Sequence, residues 1–320
     1  MIGDFIAQRR VFGQVLVDMA SDYPKMLVLD PDVCTSTQTA LFREAFPDRF
    51  LPMGIAEANA VSVAAGLAAC GFTPWVSAFS VFLAARALDQ IRVSVAQTGL
   101  PVKLNASYGG LPSGRGGATH SSVEDLAVMR AMPGMTVLCP ADAVETRAMA
   151  RAAMEIPGPV YLRTVRCEVP TIFEDDVRAE VGRAVVFAEG DDVAIVSEGM
   201  MTARALEAAR LLEGEGLHAR IIHYGTIKPF DERPLLEAAA DCRAVVTVEN
   251  HSMIGGLGGA VCEILAESVP CVVRRLGFPD VFMESGDDEA LFARFGLNAG
   301  GIAAAARELV ETKRQRGKTR

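Results

Sequence analysis

The sequence lacks the signatures of several common enzyme and metal-binding classes. Its seven cysteines are scattered, odd in number and without a C-x-x-C pair, which argues against a zinc site and a disulfide framework. It has no G-x-S-x-G segment and no P-loop, so serine-hydrolase and kinase chemistry have no support. Only four histidines occur in 320 residues, so a histidine that ends a glycine-rich loop is more informative than usual.

Positive charge and long apolar runs are also scarce. The chain has 31 basic and 40 acidic residues. Its net charge of −9 argues against nucleic-acid binding, which rests on phosphate neutralisation. We interpret the basic residues 313–318 as a frayed, solvated terminus. The most apolar stretch, residues 60–72, is too short to span a bilayer, and the N-terminus does not resemble a signal peptide. We therefore expect a soluble cytoplasmic protein with reduced thiols and no membrane or nucleic-acid partner.

The sequence shows a regular alternation of two kinds of segment. Short apolar runs alternate with alanine-rich helical runs, which is typical of a mostly parallel sheet with helices on both faces. The pattern breaks over the polar residues 167–183 and then restarts. We therefore predict an α/β protein of two domains, residues 1–170 and 189–320, joined by a linker over residues 171–188.

A carboxylate, Glu57, opens a long helix of small residues. Its neighbours are apolar or small, and such surroundings favour a carboxyl that holds or shares a proton, as an acid or base does. The alternative is a solvated first-turn glutamate that the helix dipole stabilises. On local chemistry alone the alternative carries more weight.

Two phenylalanines follow, and they lie three residues apart. Phe79 and Phe82 are predicted to share a helix face, where they form either a flat wall for an aromatic ring or part of the core. The residues alone favour neither interpretation. Farther along, Arg86, Asp89 and Arg92 are predicted to form an ion-pair network on a helix face.

Two glycine clusters indicate close backbone approach. The first has five glycines in residues 108–120 and ends at His120, for which we predict a functional role. Ser121 or Ser122 followed by Glu124 resembles a helix N-cap. The second cluster, residues 255–259, follows a strand and opens a helix. We interpret it as a tight turn with close helix packing rather than as a nucleotide site, because the acidic partner of dinucleotide folds is absent.

Together these segments resemble the C-terminal half of transketolase, and above all the separately encoded C-terminal subunits of split transketolases. The blocks at residues 54–57, 79–82 and 117–120 occur in the family's order and at its spacing. Deoxyxylulose-phosphate synthase and the beta subunits of 2-oxo-acid dehydrogenases share the same two-domain plan. The resemblance implies a thiamine-diphosphate pyrimidine-binding domain followed by a transketolase C-terminal domain.

The resemblance also implies roles at the cofactor. Glu57 matches the glutamate that hydrogen-bonds the pyrimidine ring of thiamine diphosphate and so activates the cofactor. Phe79 and Phe82 match the aromatic wall beside that ring, and Asp32 matches an aspartate near the cofactor. His120 matches a histidine that handles protons and hydroxyls on the two-carbon unit.

At the substrate, Arg9, Ser36 and Arg166 match three groups that bind the terminal phosphate. Family members bind the diphosphate and Mg²⁺ through a Gly-Asp-Gly and Asn motif in the other domain, and this chain lacks that motif. The resemblance therefore implies an N-terminal transketolase subunit as partner, with thiamine diphosphate held between the two and Mg²⁺ held by the partner. An α2β2 heterotetramer, with homodimerisation, is the expected assembly.

The chain departs from the family pattern at three places. Ala58 stands where the family usually has Gln, Tyr108 stands where a phosphate-binding histidine is expected, and the family's loop aspartate is replaced by Gly116. Arg115 lies beside that replacement. The changes in the substrate channel suggest a substrate other than the ordinary pentose phosphate pair, with Arg115 meeting a carboxylate, sulfonate or repositioned phosphate.

The leading hypothesis is thus a transferase subunit that moves a two-carbon ketol unit between sugar substrates. One alternative is decarboxylating transfer from a 2-oxo acid, as in deoxyxylulose-phosphate synthase or the dehydrogenases. The other is a non-catalytic scaffold subunit, and the presence of Glu57, Phe82 and His120 counts against it.

Overall fold

The computed structural model describes residues 3–111, 114–174, 177 and 179–318, so Pro112 and Ser113 of the first glycine cluster lie outside the described residues. The chain forms an α/β protein with largely parallel sheets, which confirms the predicted fold class. All seven cysteines are free. Within the described ranges no helix is both long and apolar enough to cross a bilayer.

The first half of the chain is built on a seven-stranded sheet. Its strands run parallel except at one edge, in the order β12-β6-β7-β5-β4-β2-β3. Helices cover both faces, so β2, β5 and β7 are buried along their whole length. The strands are β2 (Met26–Asp30), β3 (Phe50–Pro52), β4 (Thr73–Phe79), β5 (Lys103–Ser107), β6 (Thr136–Leu138), β7 (Val160–Arg163) and β12 (Thr226–Lys228).

The helices of this half are α1 (Gln8–Met19), α2 (Cys34–Thr37), α3 (Ala40–Ala45), α4 (Glu57–Ala69), α5 (Leu88–Gln90), α6 (Asp125–Ala131) and α7 (Ala143–Glu155). Of these, α4 and α7 are rich in alanine, a strong helix former. In α4 the residues Ala60, Ala64 and Ala68 recur every fourth position and are buried, which turns one face of the helix to the core. On both sides of α5 the helical turns are widened into π-helix, over Phe82–Arg86 and Ile91–Ala96.

The second half has a five-stranded sheet in the order β14-β13-β10-β11-β9, parallel except for the edge strand β9. Its strands are β9 (Val185–Ala188), β10 (Val193–Glu198), β11 (Ala219–Tyr224), β13 (Ala244–Ser252) and β14 (Val272–Phe278). Its helices are α8 (Met201–Glu213), α9 (Glu232–Cys242), α10 (Leu257–Glu267), α11 (Asp288–Arg294) and α12 (Ala299–Lys318).

The structure corrects three expectations about the segments between and after the two sheets. The predicted break contains a strand, β8 (Glu168–Pro170), which pairs antiparallel with β1 (Phe5–Ala7) at the other end of the first half. The last four residues of the predicted linker form β9. The basic tail was expected to be frayed, but it continues α12, because Lys313 donates to the carbonyls of Asp192 and Cys242. The domain bounds themselves stay predictions.

The two halves meet across a buried polar seam. Arg163 of β7 pairs with Asp125 at 2.9 Å and donates to the carbonyl of Asn250 in the second half at 2.8 Å. His223 of β11 lies 2.9 Å from a carboxylate oxygen of Glu145 on α7. Since β12 also joins the first sheet, these contacts fix the second half against the first.

Candidate active site

The Glu57 carboxylate lies inside the protein. It belongs to the first residue of α4, and the residue is only 1% exposed. The interpretation as a solvated first-turn glutamate is therefore wrong. Its Oε2 accepts a hydrogen bond from Nη1 of Arg86 at 2.8 Å, so the carboxylate has a cationic partner. The predicted ion-pair network is accordingly wrong for Arg86, whose partner is a buried acid on another helix.

The two phenylalanines form a wall next to this carboxylate. Phe79 is the last residue of β4 and Phe82 begins the first π-helical segment, so they do not share a helix face as predicted. Their rings nevertheless stack, with centroids 5.6 Å apart. Arg86 links the wall to the acid, because its guanidinium lies 4.4 Å from the centroid of the Phe82 ring.

The imidazole of His120 closes this wall from the glycine-rich loop. Its ring centroid lies 5.9 Å from that of Phe79 and 5.7 Å from that of Phe82. Its Nδ1 is 2.9 Å from Oγ1 of Thr119, which orients the ring. The histidine precedes α6 as predicted, but no side chain caps that helix, because the Ser121 hydroxyl donates to the Gly117 carbonyl instead.

Four of the residues assigned to the substrate also converge. Nη1 of Arg9 donates to the Ser36 carbonyl at 3.0 Å and to the Tyr108 hydroxyl at 3.3 Å. The Arg166 guanidinium lies 5.8 Å from the Tyr108 ring centroid. That ring stacks on Phe79 with centroids 4.1 Å apart. Tyr108 therefore separates the aromatic wall from a pair of arginines.

Tyr108 adopts a left-handed backbone with a φ of 62°, which non-glycine residues rarely do. The two glycines after it are required by close packing. A Cβ at Gly109 would lie 2.6 Å from the side chain of Arg163, and one at Gly110 would lie 2.2 Å from the amide of Asn250. The close approach predicted for this loop is thus an approach to β7 at Gly109 and to the second half of the chain at Gly110.

Two predicted site residues stand apart from this cluster. Asp32 is exposed, whereas its neighbour Asp30 is buried and accepts hydrogen bonds from Val33 N and the hydroxyls of Thr37 and Thr39. Burial raises the pKa of Asp30, although these hydrogen bonds oppose the rise. Arg115 is exposed on a 3₁₀ segment, and no contact found in the described part of the chain joins it to Arg9 or Arg166.

Comparison with known proteins identifies the two domains of the chain. Residues 5–171 match the transketolase pyrimidine-binding domain, and residues 182–302 match the transketolase C-terminal domain. The chain belongs to the transketolase family. It is 40% identical over 304 residues to a putative transketolase C-terminal section of Methanocaldococcus jannaschii, and the match spans 94% of this chain and 95% of that protein.

Two further relatives define the type of transketolase. A 6-deoxy-6-sulfo-D-fructose transketolase subunit of a Clostridium species is 40% identical over 305 residues, 95% of each chain. A solved structure described as a split gene transketolase in an inactive β4 tetramer is 46% identical with a TM-score of 0.88, and the match covers 96% of this chain and 99% of that one. This transketolase chain is therefore a subunit of the split type, and it is a transferase subunit.

The residues fit the pyrimidine half of thiamine diphosphate, the cofactor of the transketolase family. An aminopyrimidine has a flat aromatic face and a polar edge, and the site offers stacked rings at Phe79 and Phe82 beside the buried carboxylate of Glu57. Among the residues that the structure describes, no group of three or more acidic, histidine or cysteine side chains is arranged to hold a metal ion.

Sequence reasoning missed the pairing of Arg86 with Glu57 and the burial of Asp30, which lies two residues before the predicted Asp32. Arg86 lies 29 residues from Glu57, and nothing in the local pattern indicates that pairing. Asp30 resembles an ordinary strand-end acid until its three hydrogen bonds to the following loop are seen. The second glycine cluster, in contrast, is a tight turn as predicted, since a Cβ at Gly256 would lie 2.1 Å from a carboxylate oxygen of Glu249.

Proposed function

We propose that this chain supplies the cofactor-activating carboxylate and the aromatic wall of a thiamine-diphosphate site in an enzyme that transfers a two-carbon ketol unit between anionic sugars. The observation that carries the proposal is the clustering of Glu57, Phe79, Phe82 and His120, with Glu57 joined to the three rings through Arg86. Each of these side chains has a role that the reaction needs, and they come from three separate segments of the chain.

The roles follow from the chemistry of each group. When bound, thiamine diphosphate supplies the carbon nucleophile that attacks the donor carbonyl. Glu57 shares a proton with the ring nitrogen at the pyrimidine edge, and burial excludes the water that would compete for it. Phe79 and Phe82 hold the ring face. His120 moves protons to and from the hydroxyls of the two-carbon unit.

The remaining half of the cofactor site belongs, in this proposal, to an N-terminal transketolase subunit. That partner holds the diphosphate and Mg²⁺, because this chain lacks the family's diphosphate motif. Ile55 supports a covering partner, since it is 76% exposed only two residues before the catalytic acid. We place the assembly, an α2β2 heterotetramer, in the cytoplasm.

The substrate carries an anionic end that Arg9 and Arg166 recognise. Both guanidiniums face the Tyr108 ring, which occupies the position of a phosphate-binding histidine in the family. Asp32, on the loop after β2, contributes to cofactor binding, and Arg115 adds a third cation for the anionic end of the substrate. The similarity to a subunit of a sulfosugar transketolase supports a sulfonate or a displaced phosphate rather than the ordinary pentose phosphates.

Co-expression with its N-terminal subunit tests the proposal. The purified complex is assayed with xylulose 5-phosphate and ribose 5-phosphate, and in parallel with ketoses that end in sulfonate. We expect turnover that depends on thiamine diphosphate, is abolished by Glu57→Gln, is unchanged by the exposed control Glu44→Gln, and is fastest with a non-standard sugar. Unchanged turnover in Glu57→Gln would overturn the proposal, and CO₂ release from pyruvate would replace it with the decarboxylating alternative.

A further inference from the structure

The catalytic acid has a counterion of unusual placement. Glu57 is 1% exposed, whereas the side chain of Arg86, which donates to its Oε2 at 2.8 Å, is 49% exposed. A carboxylate buried without a partner is strongly destabilising, and a nearby guanidinium removes most of that penalty. Because Arg86 remains half in solvent, its own desolvation is small. The ion pair therefore stabilises the buried carboxylate at little cost in desolvation of the guanidinium.

A second contact fixes Arg86 itself. Its guanidinium lies 4.4 Å from the Phe82 ring centroid, and the two residues bound one π-helical turn. Residues four positions apart lie on the same side of a helical turn, which lets the arginine lie over the ring face. Arg86 thus holds Glu57 with its donor edge and packs on the aromatic wall with its plane. Both groups are those that the proposed function assigns to the pyrimidine ring.

We propose that Arg86 is the positioning residue of Glu57: its ion pair holds the carboxylate in the orientation from which it meets the pyrimidine edge. The inference rests on the proposed function for the identity of the ring that Glu57 meets. Both residues of the ion pair, however, belong to this chain. It predicts two separable effects of removing the guanidinium. The chain without cofactor loses stability because the buried acid loses its partner, and the loaded complex activates the cofactor more slowly.

The first test uses the full chain without cofactor or partner. Thermal unfolding is measured for wild type, R86M, R86K, E57Q and the double variant E57Q/R86M. We expect R86M to lower the midpoint by about 2–5 °C and R86K by clearly less, since lysine keeps the charge. In the E57Q background R86M should have little further effect, because no carboxylate is left to support. Equal losses in both backgrounds would refute the pairing.

The second test follows cofactor activation in the complex with the N-terminal subunit. NMR measures deuterium exchange at the thiazolium C2 of bound thiamine diphosphate, and calorimetry measures its Kd. We expect R86M to slow the exchange about 10- to 100-fold while Kd changes less than about threefold, with partial rescue in R86K. Arg92, which is exposed on the second π-helical segment, provides the control R92M, which should exchange as wild type does.

The outcomes separate the two proposals. The positioning role would be overturned if R86M exchanged deuterium at the wild-type rate. It would also be overturned if R86M lowered the unfolding midpoint by the same amount in the wild-type and E57Q backgrounds. If exchange in the wild-type complex does not depend on Glu57, the proposed function fails instead. The melting-point comparison without cofactor still decides, in that case, whether Arg86 supports Glu57.

Discussion

Glu249 offers a sharp test of the electrostatics of the second half. It lies on β13 and is completely buried, with Oε1 accepting from the backbone N–H of Gly258 at 3.0 Å. Its Oε2 has no hydrogen-bond partner within the described residues. Burial raises the pKa of Glu249 to about 8, and the charge of Glu198 adds to the rise, whereas backbone N–H groups and Arg275 oppose it.

The sign of the pH effect follows from this raised pKa. The ordinary pKa is 4.5, so between pH 4.5 and 8 the folded protein retains a proton that the unfolded chain has released. The contribution of Glu249 to stability must therefore fall as the pH rises through this window and reach its lowest value above pH 8. The full loss is on the order of 5 kcal/mol, because the pKa rises from 4.5 to about 8 and each tenfold change in proton affinity corresponds to about 1.4 kcal/mol.

The substitution Glu249→Gln removes the titration and keeps an acceptor for the Gly258 N–H. Urea unfolding at pH 5 and at pH 8.5 should show the variant close to wild type at the lower pH and more stable by about 2–4 kcal/mol at the higher one. Glu263→Gln is the matched control, since Glu263 lies on α10, is 63% exposed and pairs with Arg130. It should follow the wild-type pH dependence. An identical decline with pH in wild type and Glu249→Gln would refute this reasoning.

Three further substitutions test the site and the seam. Tyr108→Phe keeps the stacked ring but loses the hydrogen bond with Arg9. The KM for the anionic substrate should therefore rise about 3- to 10-fold at constant kcat. A loss confined to kcat would contradict this expectation. Arg115→Gln should leave the melting temperature within about 1 °C and raise the same KM several-fold, and an unchanged KM would exclude Arg115 from binding. Arg163→Met leaves Asp125 without its buried partner and should lower the unfolding free energy by about 3–5 kcal/mol in urea; a loss under about 1 kcal/mol would show that the seam does not depend on it.

Much of the architecture could be predicted because burial and strand direction constrain the sequence strongly. Strands covered on both faces must be apolar, which is why β2 and β7 stand out in the sequence. Carboxyl ends of neighbouring parallel strands meet at one sheet edge. Phe79 ends β4 and Tyr108 follows the adjacent β5, so their stacking at 4.1 Å is a consequence of topology.

The parts that could not be predicted depend on contacts between distant segments. The pairing of Arg86 with Glu57 joins the end of a π-helical turn to the start of α4, 29 residues away, and no local pattern indicates it. The strand β8 escaped detection because its three residues are stabilised by β1, some 160 positions away, rather than by their own pattern. Its proline and its charged residue are typical of a linker. Only the pairing with β1 shows that the segment is a strand.

The second half contributes to the site without lending it a side chain assigned to cofactor or substrate. The amide of Asn250, at the end of β13, accepts from Leu111 N at 3.0 Å and lies 3.4 Å from the Gly109 carbonyl. These contacts hold the loop that carries Tyr108 in its left-handed turn and that continues to His120. The carbonyl of Asn250 also accepts a hydrogen bond from Arg163, so the seam and the loop that carries Tyr108 form one hydrogen-bonded unit. The second half therefore supports the loop of the first half from which the proposed site residues Tyr108 and His120 project.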